Sequence, residues 1–303
     1  MSATQLVLPA TVTRTERGDL LVLASALAFS SVGFFTHLIQ QDVWTVLFWR
    51  GIFGGLFIAG YVVWQQRGEW QQRGAAVQAV RAIGRIGLFA AGCSTIATIC
   101  FVNALRLTTV AEVNIIYATS PFIAAALAWL WTGASEIRRT LFASLLALVG
   151  VAIMVHTARL EGHIVGNMLA LAMTALMAVM MVVIRKYQQV SMLPAAALSA
   201  LLSALAALPM AHPATAFGPH FIWFVLFGTT QFGLGLLLLT VGTRLISATR
   251  ASLIYTLEVP LACIWVWLAF AEVPSGAAII GGAIVMVAVV GDLVLGRSAA
   301  ARD

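Results

Sequence analysis

Residues 106–121 read Arg-Leu-Thr-Thr-Val-Ala-Glu-Val-Asn-Ile-Ile-Tyr-Ala-Thr-Ser-Pro, and residues 244–260 read Arg-Leu-Ile-Ser-Ala-Thr-Arg-Ala-Ser-Leu-Ile-Tyr-Thr-Leu-Glu-Val-Pro. Arg106 to Tyr117 and Arg244 to Tyr255 have the same spacing, and the proline that follows comes one residue later in the second stretch. The likeness extends outward. Gly18-Asp19-Leu20-Leu21-Val22-Leu23-Ala24 returns as Gly166-Asn167-Met168-Leu169-Ala170-Leu171-Ala172, and Glu136 returns as Glu272. Gly150-Val151-Ala152-Ile153-Met154-Val155 returns as Gly282-Ala283-Ile284-Val285-Met286-Val287. The chain reads as two copies of one unit, and such self-similarity is sought before any motif.

The sequence around these stretches is too apolar for a soluble domain. Of 303 residues, 61% are hydrophobic and 9% charged, against about 25% charged in an ordinary soluble protein. Mean hydropathy is +0.99. This composition excludes a soluble enzyme, a nucleic-acid-binding module and a disordered chain. A membrane helix needs about 20 mostly apolar residues, and ten such runs are present: 20–39, 44–64, 86–105, 111–131, 140–157, 166–184, 192–210, 220–240, 248–270 and 274–295. They are too long, and too free of alternation, for a barrel. The expected fold is therefore an all-α polytopic membrane protein of ten transmembrane helices.

Positive charge sets the orientation. With a cytoplasmic N-terminus, 14 of the 17 Lys and Arg fall on the cytoplasmic side, Arg106 and Arg159 lie outside, and Arg50 sits within a span. The net charge of +6 is then a topology signal whose partner is anionic lipid, not nucleic acid. Trp44 and Trp223 near outer ends, and Trp64, Trp129 and Trp131 near inner ends, read as interfacial anchors. Cys93, Cys100 and Cys263 lie in apolar runs and read as buried small hydrophobes. The polar first 18 residues lack the apolar core of a signal peptide.

Five spans per copy is an odd number, so equivalent helices must cross in opposite directions, with Arg106 outside and Arg244 inside. The expected organisation is a cytoplasmic tail 1–19, a first repeat 20–157, an outer linker 158–165, an inverted second repeat 166–295 and a cytoplasmic tail 296–303, with both termini cytoplasmic. Inverted repeats are the mark of secondary transporters with a midplane site between the halves.

On the approach to Tyr117 and Pro121, on Ser247-Ala248-Thr249-Arg250-Ala251-Ser252 leading to Glu258-Val259-Pro260, and on Glu272 after an aromatic-rich helix end, the chain resembles the EamA type of the drug/metabolite transporter superfamily. Within it, the chain is most similar to bacterial exporters of aromatic amino acids that also handle methyl viologen. The resemblance implies a multi-pass protein of the bacterial inner membrane that exports small amphipathic solutes by alternating access, with aromatic and other neutral amino acids the favoured cargo. Export of another metabolite or of a cationic drug on the same scaffold, or a non-saturating channel, are the alternatives. The first half has Ser120 before Pro121 where the second has Glu258 and Val259, so a carboxylate role carries onto one half only.

Polar groups at membrane depth are costly and are functional candidates by default. Glu258 shares a helix face with Tyr255, Ala262 and Trp265, three residues back, four on and seven on; this places a carboxylate and two aromatics where they can hold an ammonium group. A structural pairing with Arg50 is the competing role for Glu258. Asn114, Tyr117 and Pro121 make a similar stripe on the fourth span. Pro121 and Pro260 break helices at the centre of both halves, where transporters place their sites. Ser30, Ser31, His37, Ser94, Thr98, Asn103 and Gln231 are softer candidates for the path. Met177 belongs to a methionine face with Met173 and Met180, suited to ligands of several shapes. Gly51 and Gly55 read as close helix packing. No His-Glu-x-x-His, Gly-x-Ser-x-Gly or Gly-x-x-x-x-Gly-Lys-Ser/Thr pattern is present, which speaks against a metalloenzyme, a serine hydrolase and a nucleotide-driven pump. No cofactor or metal is expected; the expected partners are membrane lipid and a small-molecule substrate, an amino acid or an amphipathic cation.

Overall fold

The computed structural model describes residues 14–65, 83–133, 138–155, 164–190, 192–218, 220–271 and 273–300. Glu136, Glu272, Arg159, His156, His163 and the two outermost chain ends lie outside them. Among the described residues all regular structure is helical. Nine stretches among the described residues are long and apolar enough to cross a membrane, and the protein is a multi-spanning membrane protein.

The first stretch is α1 (Arg14–Ser30) followed by α2 (Val32–Ile39), and the second is α3 (Val43–Gln65). Next come α4 (Gly84–Leu107), then α5 (Val110–Tyr117) with α6 (Ser120–Thr132), then α7 (Arg138–Val155) and α8 (Ile164–Lys186). A shorter helix, α9 (Met192–Ala207), precedes a stretch made of α10 (Phe221–Leu226), a π-helical segment Phe227–Leu234 and α11 (Gly235–Thr243). The last two stretches are α12 (Ala248–Tyr255) with α13 (Glu258–Phe270), and α14 (Gly276–Ala300).

The first helix begins at Arg14 rather than at residue 20, so Arg14, Glu16 and Arg17 belong to it. The seventh run stops at Ala207 instead of 210. Pro209 disfavours helical backbone at the residue before it, and the chain turns there, Met210 N–H donating to the Ala207 carbonyl at 3.0 Å. At 16 residues, α9 is about 24 Å long, short of the ~30 Å hydrocarbon layer.

Packing is of the membrane kind. Small residues fill the helix contacts: α9 buries Ala195, Ala196, Ser199, Ala200, Ser203 and Ala204. Large ones face outward, with Leu130, Phe142 and Leu268 exposed where lipid chains would cover them. A Cβ added at Gly51 would come 2.6 Å from the Ala200 carbonyl oxygen, and one at Gly150 2.7 Å from that of Gly281, so α3–α9 and α7–α14 approach to backbone contact. The other main pairs are α1 with α11, α4 with α8, α3 with the π segment, and α4 with α9.

Trp44 departs from the interfacial role expected of it. It is buried beside Leu47, Val102 and Ala207, with the Arg106 guanidinium 5.8 Å from its ring. Trp64 and Trp129 are exposed. Lys186 lies 5.4 Å from the Trp131 ring and donates to the Trp131 carbonyl at 3.0 Å.

Candidate functional site

Among the described residues four membrane stretches are interrupted, each for a local reason. Pro121 and Pro260 fall in the first turn of α6 and α13. A proline has no N–H for the carbonyl four residues back and its ring clashes with it, so the preceding helices end at Tyr117 and Tyr255. Both breaks therefore lie one turn ahead of the prolines. The α1–α2 break at Ser31 has no proline; Ser30 and Ser31 hydroxyls donate back to the Leu27 and Ala28 carbonyls at 2.7 and 2.6 Å, a local competitor to the helical ladder. The π segment around Gln231 is the fourth, a feature frequent at functional sites.

These interruptions meet. Tyr117 and Tyr255 stand edge to face with ring centroids 5.8 Å apart. Phe29 of α1 lies 5.4 Å from Tyr255 and 6.3 Å from Phe232. The Glu258 carboxylate lies within electrostatic reach of the Tyr255 hydroxyl, on the bundle side of its helix rather than the lipid side. Arg50 of α3 places its guanidinium 4.4 Å from the Phe232 ring centroid and exerts its charge on Glu258 and Tyr255. Trp265 donates through its indole N–H to Ser30 Oγ at 3.0 Å. Gln231 donates to the Phe29 carbonyl at 3.2 Å, while its side-chain oxygen is buried and unpartnered. The result is a cluster of aromatic rings holding one carboxylate and one guanidinium, drawn from α1, α3, α5, the π segment and α12–α13.

Other sequence candidates are engaged within their own helices or pack at its margin. Ser31 is spent on the Ala28 carbonyl and Thr98 on that of Ser94, at 2.9 Å. Asn103 donates to the Ile99 carbonyl of its own helix at 2.9 Å. Met173 and Met180 are buried core residues, and Met177 is half-buried against the cluster containing Tyr117. Asn114 is half-buried on α5. His37 is exposed and stacks on Phe270 at 4.7 Å. A separate void with room for about one water lies between α4, α8, α9 and α11 and is lined by Ser94, Met180, Met192, Ser199 and Thr240.

Sequence reasoning missed a second polar cluster, at the end of the bundle where α1 begins and α14 ends. Arg250 donates through Nη2 to Asp19 Oδ2 at 3.0 Å, and its Nε lies 3.0 Å from Asp19 Oδ1 and 3.6 Å from Asp292 Oδ2. Asp292 Oδ1 accepts from Arg139 Nε at 2.9 Å and from Thr140 Oγ1 at 3.0 Å. The signal was available, because Asp292 stands inside the tenth apolar run, where a lone carboxylate demands a partner. At the opposite end the Thr108 hydroxyl joins Glu112 of α5 to Asn167 of α8, the Asn167 contact being 2.8 Å. Among the described residues no group of three or more His, Cys, Asp or Glu is placed to hold a metal ion.

The profile of the EamA-like transporter family matches the chain twice, over residues 16–156 and 164–292. Among solved structures, one described only as a crystal structure of a protein is similar over 94% of this chain and 99% of its own, with TM-score 0.79 and 17% identity, a likeness of fold. No curated protein matches the chain.

Proposed function

The chain belongs to the EamA-like transporter family, and from that premise we propose that it exports small amphipathic solutes, aromatic and other neutral amino acids foremost, by alternating access around the Tyr117–Tyr255–Glu258 cluster. The protein is a transporter rather than an enzyme. The direction, the amino-acid cargo and a bacterial inner-membrane location are our reading from the resemblance described above.

The architecture we propose is two inverted five-span repeats with both termini cytoplasmic. Support comes from the family profile matching once per half and from details that recur at a constant offset. Thr109 caps α5 by accepting from the Glu112 N–H, and Ser247 caps α12 by accepting from the Arg250 N–H. Helices then break after Tyr117 and after Tyr255, and α6 and α13 end in left-handed caps at Gly133 and Ala271. Packing follows the same exchange: α1 with α11 corresponds to α8 with α4, and α3 with the π segment corresponds to α9 with α4. Inversion would put Glu112 with Asn167 at one end and Arg250 with Asp19 at the other, the arrangement of the two polar clusters.

Alternating access needs each end to close and open. The Asp19–Arg250–Asp292–Arg139 cluster ties the first half to the second at the proposed cytoplasmic end, so its separation is the step that admits substrate there. The observation that carries the reading is the meeting of two interrupted helices at a ring-walled carboxylate. Proteoliposome flux of labelled amino acids, with and without a pH gradient, tests it. Saturable flux with trans-stimulation is expected, strongly reduced in Glu258→Gln at equal expression. Linear flux without trans-stimulation would refute a carrier, and full flux in Glu258→Gln would remove that carboxylate from the mechanism.

A further inference from the structure

Arg50 is an anomaly in the cluster. A guanidinium at membrane depth normally pairs with a carboxylate or backbone carbonyls, yet the Nε of Arg50 is buried without a hydrogen-bond partner. The guanidinium rests 4.4 Å from the Phe232 centroid and 5.9 Å from that of Phe227. A ring face gives a cation partial compensation but leaves its in-plane donors unused, and those donors match a carboxylate in bidentate geometry. Across the cluster Glu258 lies within electrostatic reach of both Arg50 and Tyr255. Two opposite charges thus sit among the same rings with no ion pair recorded between them.

We propose that Arg50 is the residue that reads a substrate carboxylate, making the site a two-pole receptor for zwitterions, with the substrate ammonium at Glu258 and its side chain among Phe29, Tyr117, Tyr255 and Phe232. This inference rests on the transporter reading above and narrows its cargo. The charge balance favours a net-neutral guest. A zwitterion satisfies both poles at once, whereas a lone cation satisfies Glu258 and leaves Arg50 unpaired in a low-dielectric site, and a lone anion does the reverse.

The test is competition against labelled phenylalanine flux in proteoliposomes of the full chain. The competitors are phenylalanine, phenethylamine (no carboxylate) and 3-phenylpropionate (no amine). The wild-type protein should require about 30-fold more of either one-pole analogue for half-inhibition, the factor for stranding one partner of a buried charge pair. Arg50→Met should lose phenylalanine flux while keeping phenethylamine inhibition of whatever labelled phenethylamine flux it shows, and Arg50→Lys should recover phenylalanine flux in part. Equal potency of phenethylamine and phenylalanine on the wild type would overturn the inference, and that arm needs no variant to fold. So would an Arg50→Met protein, monodisperse in detergent, that keeps the full discrimination. Flux of labelled phenethylamine without flux of any amino acid leaves the carrier reading standing and ends the zwitterion assignment. Flux of no compound at all ends both.

Discussion

Replacing Arg250 with methionine is the sharpest probe of how the bundle closes at the α1 end. Arg250 contacts Asp19 through two nitrogens, each at 3.0 Å, and reaches Asp292 at 3.6 Å. Side-chain exposures are 12% for Arg250, 4% for Asp19 and 1% for Asp292, so solvent screening removes little of the interaction. Two carboxylates face two guanidiniums in the native cluster. Without Arg250, Asp19 loses this two-point ion pair and Asp292 keeps Arg139 and Thr140. Breaking one side of a buried ion pair costs about 3–5 kcal/mol. That cost falls on the closed arrangement, because opening this end rehydrates the carboxylates that Arg250 had paired. At tenfold per 1.4 kcal/mol, the balance moves toward the open arrangement by about 100-fold or more. The assay is alkylation of a cysteine at Thr249, which is fully buried beside the cluster, in a background with Cys93, Cys100 and Cys263 replaced by alanine. An impermeant maleimide applied from the α1 end should label Arg250→Met at least about tenfold faster than the parent, and the melting temperature should fall. Adding Asp19→Asn removes the carboxylate that faced Arg250 and should restore part of both. Lowered melting with unchanged labelling would refute the closure argument and leave the cluster a structural staple. No change in either would refute the energetics as well.

Three other substitutions test neighbouring claims. Gly51→Leu puts side-chain atoms where a Cβ already meets the Ala200 carbonyl at 2.6 Å, so the monodisperse fraction in detergent should collapse; normal recovery would mean that α3 and α9 do not pack to backbone contact. Ser31→Ala and Thr98→Val remove hydroxyls spent on their own helices, so flux should stay within about twofold of wild type and stability within about 0.5 kcal/mol; a large loss of flux in either would place that hydroxyl on the path. Pro260→Ala returns an N–H that can reach the Thr256 carbonyl and stiffen the α12–α13 junction. Turnover should slow with melting unchanged or raised, and unchanged turnover would show that the break does not flex during transport.

Much of the helical layout was legible in the residues because the bilayer is a severe solvent. Long runs without Asp, Glu, Lys or Arg have few other places to go, and each observed helix overlaps the run expected for it. The ends were set by finer chemistry: Asp19 is buried in α1 because Arg250 pairs with it, and Pro209 cut α9 short. The candidate list was read less evenly. Tyr117 and Tyr255 share a repeated spacing, Glu258 follows the second of them by three residues, and the three come together in space. Ser31 and Thr98 are polar residues in spans as well, but a hydroxyl can satisfy itself on the turn below it, and sequence spacing does not distinguish that from a hydroxyl turned inward.

What the sequence determined by itself was the class of molecule, the positions of its apolar spans and the duplication, since all three follow from composition and from patterns within a few residues. What only the tertiary structure decided was which distant groups meet. Arg50 and Glu258 are about two hundred positions apart, and Asp19, Arg139, Arg250 and Asp292 come from four separate helices. A charge in a span announces that it needs compensation, because low dielectric makes isolation expensive. Whether that compensation is a fixed partner, as for Arg250, or a ring face with free donors, as for Arg50, depends on how helices related by no local rule pack against one another.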